Sequence, residues 1–243
     1  MAKTAREKFK TYGNVFDNFT TNTIAKLISQ GHIDGIESPV SIGKEANIFT
    51  ARKGKDYVIL KIYRLEACDF NRMYDYLKYD IRYPSIKRGK RNVVFTWTQR
   101  EYRNLHLARE GKVNVPLPFT RLNNVLVLEL IGDKEFGKPA SQVKRVLPAD
   151  PEDFLKQTIS AMKNIHKSGL VHGDLSEYNI LNLDETPVII DMSQSTSIKS
   201  PNASELLDRD IKNMVRFFGR LGAKITEKAI KKKILGNKKN NKE

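Results

Sequence analysis

The sequence predicts an α+β chain, and three observations carry that prediction. Ile36–Ser41 and Ala46–Ala51 read as strands flanking a tight turn, and Tyr57–Tyr63 as a strand rich in β-branched and aromatic residues. Apolar residues recur at helical spacing in Thr20–Gln30, Thr96–Glu110, Glu152–Ser168 and Ala203–Leu221. The length, 243 residues, suits one large domain or two lobes.

Each element has its own signals. In Thr20–Gln30, Ile24, Leu27 and Ile28 share a face and Gly31 ends the helix. The strand Tyr57–Tyr63 turns Val58, Leu60 and Ile62 to one side and Ile59, Lys61 and Tyr63 to the other. Arg64–Phe95 has no clean period and is expected to be a flexible loop; Ser85 within it is a candidate phosphorylation site. Thr96–Glu110 reads as a helix with Thr96 as N-cap and Gly111 as stop. Val113–Phe119 and Val125–Leu130 read as a hairpin about Asn123-Asn124. In Glu152–Ser168, Phe154, Leu155, Ile159, Met162 and Ile165 form a core stripe closed by Gly169. Ala203–Leu221 carries a broad apolar face, and a basic tail follows it.

Composition excludes several classes. An apolar fraction of 40% suits a globular chain. No apolar run has membrane-span length and no signal-peptide core opens the chain, so a cytoplasmic protein without membrane contact is expected. One cysteine, Cys68, excludes an internal disulfide and a thiolate zinc cage. The net charge of +15 favours a polyanionic partner. Its cations gather in Ala2–Lys10, Lys87–Arg91 and Lys228–Lys242, a distribution that points to RNA.

The chemistry concentrates in one stretch. Residues 170–181 read Leu-Val-His-Gly-Asp-Leu-Ser-Glu-Tyr-Asn-Ile-Leu, and Val188-Ile-Ile-Asp191 follows. Asp174, Asn179 and Asp191 thus lie in two short loops beside β-branched runs. Asn179 and Asp191 offer an amide and a carboxylate to Mg²⁺, which prefers hard oxygens shared with phosphates. Asp174 remains to orient a nucleophile or take its proton. Lys61, inside an apolar strand, needs an anion; Glu101 on the Thr96–Glu110 helix is the candidate partner, ahead of Glu110. The turn Ser41-Ile-Gly-Lys-Glu-Ala-Asn47 has one glycine, Gly43, so Ser41 and Lys44 would assist it in covering phosphates.

The loop pattern resembles the catalytic loop and metal-binding Asp of the protein-kinase superfamily. Asp-Leu-Ser-Glu-Tyr-Asn and Ile-Asp-Met-Ser-Gln together resemble the RIO family of atypical serine/threonine kinases. Ser41–Asn47 resembles the short, archaeal-type branch without an N-terminal winged helix. The resemblance departs from ordinary kinases at Ser176, where they carry Lys, and at Met192-Ser193, where they carry Phe-Gly.

That resemblance implies a two-lobed protein-kinase-like fold. The expected divisions are a mobile 1–10, an N-terminal lobe over 11–130, a C-terminal lobe over 131–235 and a basic tail over 236–243. Few residues follow Asp191, so the C-terminal lobe is expected to lack a long activation segment and peptide-binding helices. It implies ATP and Mg²⁺, with Mn²⁺ as a substitute. ATP would meet Ser41, Gly43, Lys44, Lys61, Glu101 and Glu177, with Leu128, Glu129 and Ile131 at the adenine. It further implies an aspartyl-phosphate at Asp191, ATPase output beside kinase output, and a role on the pre-ribosomal small subunit or its rRNA. Two alternatives are a small-molecule phosphotransferase of the aminoglycoside or choline type and a non-catalytic nucleotide-binding assembly factor. The short basic tail argues against the first, and the intact set Lys61, Asp174, Asn179 and Asp191 argues against the second.

Overall fold

The computed structural model describes residues 16–66 and 68–236; the expected N-terminal basic segment and most of the tail lie outside them. The chain divides into two compact units. The first takes residues up to 78, then 85–103 and 116–139; the second takes 79–84, 104–115 and everything from 140.

The first unit is built on a five-stranded antiparallel sheet ordered β1-β2-β3-β5-β4. Its strands are β1 (Gly35–Ile42), β2 (Ala46–Lys53), β3 (Asp56–Tyr63), β4 (Pro118–Leu122) and β5 (Val125–Glu129). Strand β3 is flanked on both sides, pairing Lys61 with Ile48 and with Leu126. Its alternation has the consequence expected from the sequence. Val58, Leu60 and Ile62 enter the core with Phe49 and Ala51 of β2. Helix α1 (Asn18–Ser29) covers that face with Ile24 and Leu27. Asp17 starts α1 by accepting from Thr20 N at 2.9 Å.

Two more helices begin in this unit, and both correct the sequence reading. Residues 64–95 are not one loop, because Phe70–Tyr79 forms helix α2. Met73 and Leu77, one turn apart, supply its buried contacts; two apolar positions among charges leave no visible period. Helix α3 runs from Lys90 to Glu110, six residues earlier than expected. Thr96 lies inside it, and its hydroxyl donates back to Asn92 O at 2.8 Å. The start was hidden because the inward stripe mixes Val93, Val94 and Trp97 with buried Arg100, Glu101 and Asn104. The β4–β5 hairpin begins at Pro118, and β6 (Gly132–Asp133) pairs with β7 (Lys138–Pro139).

The second unit rests on α4 (Pro151–Lys167), α5 (Ala203–Arg220) and α6 (Glu227–Leu235). Asp150 caps α4 ahead of a proline at its first position. Phe154 of α4 meets Phe218 of α5, ring centroids 6.2 Å apart. Four short strands carry the loops: β8 (Leu170–Val171) pairs with β11 (Thr196–Ser197), and β9 (Ile180–Leu183) with β10 (Thr186–Ile189). Between β10 and β11 lies a 3-10 turn, Met192–Gln194. Among the described residues no helix is long and apolar enough to cross a membrane.

Phe49 is fully buried where α1 meets the sheet. Phe49→Ala is expected to cost about 3–5 kcal/mol of unfolding free energy, read from urea titration.

Candidate active site

In the first unit, Lys61 meets its expected partner. Lys61 Nζ lies 2.7 Å from Glu101 Oε1, and both side chains are almost fully buried. The opposite oxygen, Glu101 Oε2, accepts from Tyr63 Oη at 2.5 Å. Tyr63 shares the strand face of Lys61, and the ammonium sits 5.1 Å from its ring centroid. The carboxylate is therefore fixed at both oxygens, which holds the ammonium in one place. The sequence reading put Tyr63 on this face without giving it a role.

Ser41 and Lys44 flank the β1–β2 turn and are exposed. Gly43 N donates to Ala46 O at 3.1 Å. A Cβ at Gly43 would stand 2.8 Å from Ala46 O, so the turn admits no side chain there. Leu128 and Ile131 are buried around the end of β5. The Glu129 carboxylate accepts from Leu117 N at 3.1 Å and from Lys134 at 2.8 Å. The Glu129 backbone N–H is engaged as well, donating to Leu117 O at 2.8 Å. Ser85 is exposed between α2 and α3.

In the second unit, Asp174, Asn179 and Asp191 come together. Asn179 Nδ2 donates to Asp174 O at 2.8 Å, and Ile190 N donates to Asn179 O at 3.0 Å. Gln194 Nε2 donates to Asp174 Oδ2 at 3.1 Å. Asp191 adopts the left-handed conformation, φ 60° and ψ 65°, and accepts from Ser193 N. A non-glycine residue held there is strained, which is common where a loop must aim a side chain.

His172 ties the two loops. Its Nδ1 accepts from Asp174 N at 3.3 Å, so Nε2 carries the proton and donates to Ile190 O at 3.2 Å. The ring thereby buttresses the Asp174 loop against the Asp191 loop. Glu177 is buried, and its Oε2 has no hydrogen-bond partner among the described residues.

Two anchors were missed by the sequence reading. The first is Asp210 of α5, fully buried, which accepts from Gly173 N and Leu175 N at 2.8 Å each. These amides flank Asp174, so the helix fixes the backbone on both sides of it. Arg209 donates to Gly173 O. Burial pushes the Asp210 carboxyl up to about 7 against the two N–H donors. The second anchor is a chain of polar groups behind Asp191. Asp80 holds Arg82, which donates to Asn104 Oδ1 at 2.8 Å. Asn104 Nδ2 in turn donates to Met192 O and Ser195 O, each at 2.8 Å. A lone polar residue at helical spacing was the only signal for either.

The oxygens fit Mg²⁺. With its nitrogen bonded to Asp174 O, the Asn179 amide keeps Oδ1 as its acceptor, and its backbone carbonyl accepts from Ile190 N of the Asp191 loop at 3.0 Å. One amide and one carboxylate oxygen are a hard-ligand pair of the kind completed by phosphates and water. Among the described residues no cluster of three or more His, Cys, Asp or Glu could cage a metal alone.

A buried Lys–Glu pair on a strand and helix, with a locked Asp–Asn–Asp set on short loops, defines a protein-kinase-like phosphotransferase. The RIO domain pattern matches residues 47–231. The RIO-type serine/threonine-protein kinase Rio1 of Haloferax volcanii is 42% identical over 218 residues, covering 89% of this chain and 74% of the relative. The protein of that name from Methanocaldococcus jannaschii is 40% identical over 231 residues, covering 95% and 79%. In fold, the chain is similar to the Rio2 kinase from Chaetomium thermophilum, solved as an ADP/Mg²⁺-phosphoaspartate complex. The TM-score is 0.69 at 23% identity, covering 89% of this chain and 65% of that one. The chain belongs to the RIO family of atypical kinases.

Tyr63→Phe removes one donor from a buried carboxylate and is expected to cost about 1–3 kcal/mol of stability by urea titration. Asp210→Asn mimics the uncharged carboxyl. Because the folded group titrates near 7, above the ordinary carboxyl range, its contribution is fully present below about pH 4 and is lost as pH rises through about 7. The stability of the native protein relative to Asp210→Asn should therefore fall over that window and then level off, measured by denaturant unfolding at stepped pH.

Proposed function

We propose that this chain is an ATP-dependent serine/threonine phosphotransferase that also transfers the γ-phosphoryl group to its own Asp191. The observation that carries this reading is the locking of Asp174, Asn179 and Asp191 by backbone hydrogen bonds. Rigid placement is what phosphoryl transfer requires, since its loose transition state needs alignment and charge neutralisation more than covalent help. The similar Rio2 kinase was solved as a phosphoaspartate complex, which supports the second half of the reading.

Each residue then has a task. Lys61, steadied by Glu101 and Tyr63, places its ammonium on the α- and β-phosphates. Ser41, Lys44 and the backbone at Gly43 cover the phosphates. The backbone at Glu129 and Ile131 reads adenine, Leu128 shapes the ring pocket, and Glu177 lies toward the ribose side. Asn179 and one oxygen of Asp191 would hold Mg²⁺, which would neutralise phosphate charge; Mn²⁺ would serve similarly.

For transfer to the chain itself, the other Asp191 oxygen attacks the γ-phosphorus. The bond to the β–γ bridging oxygen breaks, and ADP leaves with the electron pair. Water then attacks the acyl phosphate, Asp174 takes its proton, and inorganic phosphate departs. For transfer to a hydroxyl, Asp174 takes the serine or threonine proton instead, and Ser85 is one such acceptor. The positive charge and the family resemblance support a site of action on the small ribosomal subunit during its maturation, with rRNA as the polyanion.

Incubation with Mg²⁺ and γ-labelled ATP is expected to label the chain, and hydroxylamine should release that label. Asp191→Asn should abolish the labile fraction. Asp174→Asn should slow turnover by about 10²–10⁴-fold. A label that resists hydroxylamine and survives Asp191→Asn would sink the aspartyl-phosphate and leave Ser/Thr transfer alone.

A further inference from the structure

The first unit carries a face whose cations are matched with aromatic rings instead of carboxylates. Arg88 lies over Tyr74 of α2 at 5.0 Å, Lys90 over Phe70 at 5.2 Å, and Arg91 over Phe19 of α1 at 4.8 Å. Arg72 approaches Tyr76 at 5.9 Å. These contacts gather the start of α1, all of α2 and the start of α3 into one surface. The four cations are exposed, and the rings are half-buried, each keeping part of its area open to solvent.

None of the four makes an ion pair among the described residues. The exposed carboxylates on the same stretch are Asp69, which caps α2 through Arg72 N at 3.0 Å, and Asp75. Neither α2 nor α3 has an acidic residue in its first turn. Lys90 and Arg91 therefore add to the positive end of the α3 dipole, against that helix's own stability. Exposed cations so placed raise a positive potential that no ion pair among the described residues neutralises.

From this face we infer a binding surface for single-stranded nucleic acid, formed by Arg72, Arg88, Lys90 and Arg91 with Tyr74 and Phe70. The two kinds of group match the two parts of such a strand. Cations track the phosphates, and rings with flat guanidinium groups stack on unpaired bases. An acidic peptide would use the charges and leave the rings idle. A duplex keeps its bases stacked on each other, so it too gains nothing from the rings. The inference gives the rRNA partner of the proposed function a location and leans on that reading only for the choice of RNA. Binding itself needs no phosphoryl transfer.

The test is fluorescence anisotropy with a labelled oligouridine of about 20 nucleotides, long enough for one site, across a salt series. The full chain should bind the single strand more tightly than a duplex of equal length. Combining Arg72→Gln, Arg88→Gln, Lys90→Gln and Arg91→Gln should weaken binding about ten-fold or more and lower the log–log salt slope by about 3. Tyr74→Leu should weaken binding with the slope unchanged, because stacking releases no counterions. Lys228→Gln, Lys232→Gln and Lys233→Gln on α6 together should change little. Circular dichroism melts check folding, and the milder pair Arg88→Gln with Lys90→Gln should show about half the slope change. Equal binding by the four-fold variant, loss in the α6 variant instead, equal affinity for duplex, or displacement by polyglutamate as readily as by RNA would each overturn the inference. Absence of ATP turnover in the native chain would count against the proposed function and leave this result standing.

Discussion

The loop that carries Asp174 depends on one buried carboxylate. Asp210 accepts from the amides on either side of Asp174, and nothing else among the described hydrogen bonds reaches both. Hydrogen bonds to a charged group contribute about 1.5–3 kcal/mol each. Burying the charge costs several kcal/mol, so the arrangement roughly breaks even. What it secures is position. Gly173 must adopt φ +80°, and a Cβ there would press within 3.1 Å of Gln194 O. The residue before Asp174 can then only be small, and the loop can only pass where α5 receives it. The stability that offsets this comes from the apolar contacts of α4 and α5, where Phe154, Ile211, Met214 and Phe218 are buried.

The legible parts of the sequence were those in which one side chain carries one signal. Period-two alternation placed Lys61 opposite the core face, and the buried contact with Glu101 followed from the need for an anion. The short loops holding Asp174, Asn179 and Asp191 were legible because three oxygen side chains recur beside β-branched runs. The start of α3 was not legible, because Arg100, Glu101 and Asn104 occupy inward positions that an apolar pattern would fill. Asp210 is one polar position on an amphipathic helix. Its partners are backbone amides 35 and 37 residues away, which have no residue-type signature. The same holds for Asn104, which donates to the carbonyls of Met192 and Ser195, and for Arg82, which Asp80 holds and which donates to Ser195 O.

Those inward polar residues share a pattern. Lys61 meets Glu101, Arg82 meets Asp80, and Asp210 meets two amides. Each of these charges thus has a specific partner, as an unpaired one would cost far more than its packing returns. Each also stands one contact from a residue of the proposed mechanism or from the segment that carries it. Buried polar groups here fix coordinates, and the surrounding apolar core supplies the stability that lets them.

The exposed cations of α2 and α3 follow the opposite rule, and the contrast gives them meaning. A surface cation needs no partner, because water solvates it, so a ring beneath it is no requirement of folding. A cation–ring contact at an exposed site contributes only about 0.5–1 kcal/mol. Four of them on one face are therefore a weak means of holding α2 in place, a task that Met73 and Leu77 already perform. They are a strong means of keeping charge and flat apolar surface side by side. Carboxylates in those places would have fastened the helices equally well and cancelled the field. The chain pairs charge with charge where it needs fixed geometry, and charge with ring where its own acids leave a positive face uncovered.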